Sequence, residues 1–162
     1  MGGADRVPRR AVHGEDWAQL MVVMRAAFAG MEGRIDPPSS LLRMEVSDLP
    51  DIAKSAEIWV IGRPIIATVT LTVRPDTLYL GKLAVVPEKQ GQGLARELIA
   101  LAVTRAGALD LPDVMLETRV ELVENHAFFR HLGFVETARR AHAGFDRPTT
   151  VEFRNRASAA QV

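Results

Sequence analysis

The sequence predicts an α/β fold of the α+β kind, a mixed and mostly antiparallel central sheet with helices packed on it. Three observations predict it. Three runs rich in β-branched residues, Ile58 to Gly62, Ile65 to Val73 and Leu78 to Val86, follow one another through tight turns, which suggests an antiparallel meander. A long stretch of helical periodicity follows at once, from Gly91 to Leu109. Strand-like and helix-like segments then alternate to the end of the chain.

Taken in order, residues 1–5 read as a frayed tail and Arg6 to His13 as a short extended piece. Glu15 to Gly30 reads as a helix: Glu15 or Asp16 places negative charge at its start, and Leu20, Val23, Met24, Ala27 and Phe28 share a face. Gly30 or Gly33 ends it. The segment Asp36-Pro37-Pro38-Ser39-Ser40 is a rigid loop, and Ser39 or Ser40 caps a short helix reaching Glu45. Gly62-Arg63-Pro64 and Arg74-Pro75-Asp76 punctuate the meander. In the helix after it, Leu94, Leu98, Leu101, Ala102 and Arg105 fall in register. Val114 to Val120 reads as a strand, Glu124 to Leu132 as a helix closed by Gly133, Phe134 to Ala141 as a strand, and Thr149 to Arg154 as a last strand closing the sheet. No repeat and no long linker divides the chain, so residues 6–156 are expected to form one domain and 157–162 a tail.

The bulk numbers narrow the function classes. A chain of 162 residues that is 48% hydrophobic can bury one substantial core. Lysine plus arginine equals aspartate plus glutamate, 20 against 20, which argues against a general nucleic-acid binder. Cysteine is absent; this removes disulfide scaffolds and cysteine nucleophiles and fits a reducing compartment. No apolar run has the length of a membrane span, the amino terminus lacks a signal-peptide stretch, and Arg6 stands where a myristoylation start wants serine or threonine. A cytoplasmic location is the expectation. The four histidines show no metal-ligand spacing, so no metal is expected.

The chemistry concentrates between Tyr79 and Arg96. A buried strand runs through Leu83-Ala84-Val85-Val86-Pro87 into Gln90-Gly91-Gln92-Gly93-Leu94-Ala95-Arg96, and that loop opens the long helix. The first amides of a helix have no internal partner and its dipole is positive there, so the arrangement is an anion cradle. Glycines let a phosphate reach the backbone, and Lys89 or Arg96 adds formal charge. Alone, a Gly-x-Gly after a strand is more often a plain turn. Here Gln90-Gly-Gln-Gly93-Leu-Ala95 resembles the Gln/Arg-x-x-Gly-x-Gly/Ala signature of the GCN5-related N-acetyltransferases (GNAT). A second feature of that family follows, Asn125-His-Ala-Phe128-Phe129-Arg-His-Leu132-Gly133-Phe134, a short helix ending in Leu-Gly-Phe.

The resemblance implies a sheet of six to seven strands flanked by about four helices, with two central strands splayed around acetyl-CoA. The backbone of Leu83, Ala84 and Val85 would pair with the pantetheine arm as an added strand. Gln90, Gly91, Gln92, Gly93, Leu94, Ala95 and Arg96 would hold the pyrophosphate. Asn125 and Phe129 fall on the cofactor side, although Asn125 lies closer to Leu-Gly-Phe than is common in the family. The implied reaction moves an acetyl group to a primary amine, borne by a small molecule or a peptide, by direct attack in a ternary complex. The protein would act as a monomer or homodimer, without nucleic acid or membrane.

That transfer has three needs. An amine of pKa near ~10.4 must lose a proton. The oxyanion that develops needs a donor, expected from a backbone N–H at the end of the Leu78–Val86 strand. The departing thiolate takes a proton. Many relatives give this last role to a tyrosine at the position of Phe129. Without such help, a thiol of pKa about 8.5 leaving at pH 7 costs about 2 kcal/mol, which slows an enzyme without abolishing it. Water or Tyr79, the only tyrosine, can substitute; a tyrosine with its ring in the core and hydroxyl at the rim is an equally good reading of Tyr79. Glu117 is the leading base, because an acid inside a strand is costly unless used or paired, and Arg119 at i+2 offers a pairing. Glu121, Glu124, Glu32, Asp36, His126 and His142 are further acid–base candidates, each with a plain surface or capping alternative.

For the acceptor, Met31 to Ser40 and His142 to Pro148 are expected at the mouth, with Glu32, Arg34, Asp36, His142, Asp146 and Arg147 as contacts. Acid and arginine together suit a substrate with an amine and a carboxylate or phosphate. The same residues can form ion pairs, Asp36–Arg147 or Arg34–Asp146. Three other readings remain open. A nucleotide oxidoreductase is disfavoured because Arg96 occupies the third glycine position and the upstream strands form a meander, although Asp113 lies at the distance of a ribose-binding acid. A non-catalytic acyl-CoA sensor gains from Phe129. A protein acetyltransferase would dock through Arg139, Arg140 and Arg147.

Overall fold

The computed structural model describes residues 3–157. Its seven strands form one sheet in the order β1-β2-β3-β4-β5-β7-β6, with β1 Arg9–Arg10, β2 Glu57–Ile61, β3 Ala67–Val73, β4 Leu78–Val85, β5 Asp113–Arg119, β6 Val135–Arg140 and β7 Thr150–Arg156. Every neighbouring pair is antiparallel except β4 and β5. Four α-helices flank the sheet: α1 Trp17–Phe28, α2 Asp48–Ser55, α3 Leu94–Ala108 and α4 Val123–His131. The meander is β2, β3 and β4. None of the helices among the described residues is long and apolar enough to cross a membrane.

Each sheet face buries its own cluster. On one, Leu71, Leu78, Leu98, Leu116, Phe129 and Phe153 pack beneath α3 and α4. On the other, Leu20, Met24, Leu49, Ile58 and Val60 pack with α1 and α2. The predicted stripe of α1 is buried at Leu20, Val23 and Met24, and the Asp16 carboxylate caps the helix by accepting from the Gln19 N–H. Ser39 likewise caps the 3-10 turn Ser40–Arg43 by accepting from the Leu41 N–H.

Several expectations needed correction. Helix α2 has no counterpart in the sequence reading, which leaves the stretch after Glu45 unassigned; Pro50 fits it because at the third helical position its missing N–H is one that would have had no partner anyway. Gly3–Arg6 forms a 3-10 turn where a frayed tail was expected, while Met1 and Gly2 lie outside the described residues. Only Arg9–Arg10 of the expected extended piece pairs as a strand. Ala157, assigned to a tail, donates its N–H to the Pro112 carbonyl at 3.0 Å; residues 158–162 lie outside the description. The last strand does not close the sheet at an edge: β7 inserts between β5 and β6, because both of its edges find antiparallel partners.

Candidate active site

The site begins where the one parallel pair stops. Strands β4 and β5 are in register only at Leu78–Val114, Tyr79–Met115 and Leu80–Leu116, so from Gly81 to Val85 the β4 edge facing β5 has no ladder partner. A bulge lies at the same point: Lys82 and Leu83 together oppose the single residue Val69, and Lys82 adopts a left-handed φ of 51°. Beyond it Ala84 pairs with Thr68, and the Val86 N–H donates to the Ile66 carbonyl at 2.9 Å. Antiparallel backbone groups alternate in direction, so those of Leu83 and Val85 face the open side. One of them is already used: the Val85 carbonyl accepts from the Gln90 amide nitrogen at 3.3 Å.

The strand then enters the glycine loop. Gly91 and Gly93 have φ of 80° and 83°, a conformation in which a side chain is strained, and a Cβ at either would project into open space. The first helical bond of α3 is Glu97 N–H to the Gly93 carbonyl, and no side chain caps the helix. The amides of Leu94, Ala95 and Arg96 therefore have no intrahelical partner. Gln90, Gln92 and Arg96 are exposed and Ala95 half-buried beside them. Arg6, which the sequence reading passed over, donates to the Gln92 carbonyl at 3.1 Å and pairs with Glu97 at 3.4 Å. Nothing local in the sequence links Arg6 to a loop 86 residues away.

On the α1 and α2 face, Tyr79, Glu117, Arg119 and His142 come together. The Tyr79 ring lies over Gly81, where an added Cβ would sit 3.1 Å from it, and the Arg74 guanidinium covers it at 3.9 Å. Burial and then the Glu117 charge raise the Tyr79 pKa above its usual 10.0. Glu117 itself is exposed, which corrects the reading of a strand-interior acid: on this face α1 and α2 pack chiefly on β2, β3 and β4. Nor is Arg119 its partner; that guanidinium donates to the carbonyls of Pro37 at 2.6 Å and Pro38 at 3.2 Å. His142 bonds Thr149 through its N–H at 2.8 Å and through Nδ1. Burial, and next the Arg119 charge, hold its imidazole below the ordinary 6.5. Oε1 of Glu121 is buried and has no hydrogen-bond partner among the described residues.

The two loops expected at the acceptor mouth are tied to each other. Arg147 pairs with Asp36 at 3.2 Å, as one of the two expected ion pairs. The other is not formed: Arg34 pairs with Glu124 at 2.6 Å, and Asp146 is exposed. That pairing also engages Glu124, a candidate base. Glu32 is exposed on the same loop. On the far face, Asn125 donates to the Thr118 hydroxyl at 3.4 Å, and His126 Nε2 bonds the Arg119 carbonyl at 2.9 Å, a structural use of that ring. Phe129 is buried with its ring against Phe128, Phe134 and Phe153. Lys82, also missed, lies beside Tyr79 and donates to the Ser40 hydroxyl at 2.9 Å.

A mixed sheet splayed at a β4 bulge, followed by an uncapped glycine-led helix, defines an acyltransferase-type fold, and the comparisons agree. The acetyltransferase (GNAT) family profile matches residues 25–134, and the chain belongs to that family. Its fold is similar to that of a GNAT-family protein from Desulfovibrio desulfuricans, at TM-score 0.74 and 18% identity over 94% of this chain and 99% of that one. It is also similar to spermidine N-acetyltransferase from Vibrio cholerae, solved with CoA and spermine, at TM-score 0.70 and 18% identity over 96% and 97% of the two chains. A GNAT acetyltransferase from Elizabethkingia anophelis, solved with acetyl-CoA, gives TM-score 0.66 and 13% identity over 94% and 98%. No curated protein sequence matches.

Proposed function

We propose that this chain is an N-acetyltransferase that moves the acetyl group of acetyl-CoA to a primary amine by direct attack in a ternary complex. The observation that carries the reading is the unpaired β4 edge leading straight into the uncapped start of α3. The residues fit the cofactor. An amide-bearing pantetheine arm suits the open-side backbone groups of Leu83 and the Val85 N–H, and a pyrophosphate suits the partnerless amides of Leu94, Ala95 and Arg96 beside two glycines that carry no Cβ. CoA and acetyl-CoA in the two neighbours named above support the same assignment.

Acetyl-CoA, when bound, supplies a thioester carbonyl open to attack by an amine. The chain's own residues then divide the work. A backbone N–H on the open edge holds the carbonyl oxygen. Glu117, exposed on the same face, accepts the amine proton. Tyr79, which burial and Glu117 keep protonated, gives a proton to the departing sulfur in place of the tyrosine that Phe129 replaces.

The test is release of free thiol from acetyl-CoA across a panel of amines, with Glu117→Gln alongside. The native protein is expected to turn over at least one amine. Glu117→Gln is expected to lose roughly 10²-fold in kcat, with coenzyme affinity kept. Coenzyme binding with no turnover on any amine would instead favour a non-catalytic acyl-CoA sensor, the reading to which the buried phenylalanine at 129 lends weight.

A further inference from the structure

A pocket of about 200 Å³ opens on the α1 and α2 face next to the β4 bulge. Its walls are apolar, built from Met24 of α1, Leu49 and Ile52 of α2, and Met44 between them. Its floor is Thr70 and Thr72 of β3 with Tyr79 and Gly81 of β4, and Lys82 stands at its edge. The pocket therefore shares β4 with the open edge at Leu83 and Val85, and a small molecule lodged in it lies beside the splay.

Lys82 is the unusual member. The bulge turns it left-handed and leaves its side chain half-buried on the pocket. Its ammonium donates to one uncharged group, the Ser40 hydroxyl at 2.9 Å, and no carboxylate among the described residues comes within ion-pair distance. The neighbouring cation Arg119 is spent on the uncharged carbonyls of Pro37 and Pro38. A half-buried ammonium without a counter-charge is costly, and an anion that arrives with the ligand removes the cost. Burial and the Arg119 charge lower the Lys82 pKa, as they would for a cation that lacks such a partner.

We propose that Lys82 selects the acceptor: the pocket takes a small primary amine whose apolar body fills the cavity and whose anionic group, carboxylate or phosphate, pairs with the Lys82 ammonium. The assignment rests on the acetyl-transfer reading for what happens to the amine, but not for what binds. A polycation is disfavoured by the same charge, so spermidine, the substrate named for the Vibrio cholerae neighbour, is expected to bind poorly.

The experiment measures binding to the CoA-loaded protein by calorimetry, and thiol release from acetyl-CoA, for four probes: L-leucine, L-leucinamide, 3-aminopropyl phosphate and spermidine. At least one of the two anionic amines is expected to bind more tightly than leucinamide and spermidine, and which one does identifies the anionic group. Lys82→Met is expected to shrink that preference by roughly 10- to 100-fold while CoA affinity stays unchanged. The inference is overturned if leucinamide or spermidine binds as well as both anionic amines, if neither anionic amine binds, or if Lys82→Met weakens all four alike. Lys82-dependent binding of an anionic amine without thiol release would uphold the pocket and sink the transfer reading. Thiol release from acetyl-CoA with leucinamide or spermidine, regardless of Lys82, would do the reverse.

Discussion

At Tyr79, three neighbours act on one phenol. The absence of a side chain at Gly81 gives the ring room, the Arg74 guanidinium lies on it, and burial with the Glu117 charge keeps the hydroxyl protonated beyond its ordinary range. A protonated phenol is a competent donor to a thiolate throughout neutral pH. Tyr79→Phe is expected to lower kcat by about 10²-fold and to flatten the alkaline limb of its pH profile, with CoA affinity intact. Unchanged turnover and profile would remove the acid role and leave Tyr79 as a pocket wall. Glu117 was legible as an acid on β5, but the burial argument for it fails because the residue is exposed. A burial argument needs to know where the covering helices lie, and no residue on β5 carries that information.

At the level of elements, the strand-loop-helix unit from β4 to α3 was legible, apart from the 3-10 turn Pro87–Lys89 and a helix that starts at Leu94 where Gly91 was expected. Its determinants are local: glycines at positive φ and a helix start without a cap. Gly93→Glu tests it. The residue would be forced into a left-handed conformation at a cost of about 1–2 kcal/mol, with no steric clash because a Cβ there meets nothing. Its carboxylate would also oppose an anion at the helix start. CoA affinity is expected to fall by at least ~10²-fold by calorimetry, while the melting temperature drops by only a few degrees. Intact affinity would place the pyrophosphate elsewhere. The bulge at Lys82 and helix α2 were not legible. A bulge is a property of two strands in register, and Pro50 hides a helix that its own first turn tolerates.

Across the whole molecule, the insertion of β7 between β5 and β6 binds the carboxy-terminal half together around Glu152. That carboxylate is 4% exposed and accepts from Thr137, from Arg140 at 2.7 Å and from Arg154 at 3.2 Å; Arg154 also reaches Asp113 on β5. Burial alone would raise its pKa, but these donors hold it at about 2, below an ordinary 4.5. Because the folded value is the lower one, the stabilisation is fully present above about pH 4.5 and is lost as pH falls towards 2. It amounts to roughly 3 kcal/mol. Urea unfolding at several pH values should show most of this loss between those limits, and Glu152→Gln should lose the dependence. A Glu152→Gln protein with the same acid sensitivity as the native one would assign the effect to other carboxylates.

The sequence by itself determined the class of fold, the meander, helices α1, α3 and α4 and the glycine loop, because periodicity, caps and left-handed glycines act over a few residues. It also carried the two spaced motifs that place the chain in its family. Only the tertiary structure decided which strands lie side by side, where β4 and β5 part, and which distant charges meet. Asp36 finds Arg147, Arg34 finds Glu124 and not its expected partner Asp146, and Arg6 reaches Gln92, through pairings more than 80 positions apart. Lys82 acquires its meaning the same way. A lysine is unremarkable in the chain; a bulge, two helices and an uncharged Ser40 leave it half-buried without a counter-ion, and none of those is written next to it.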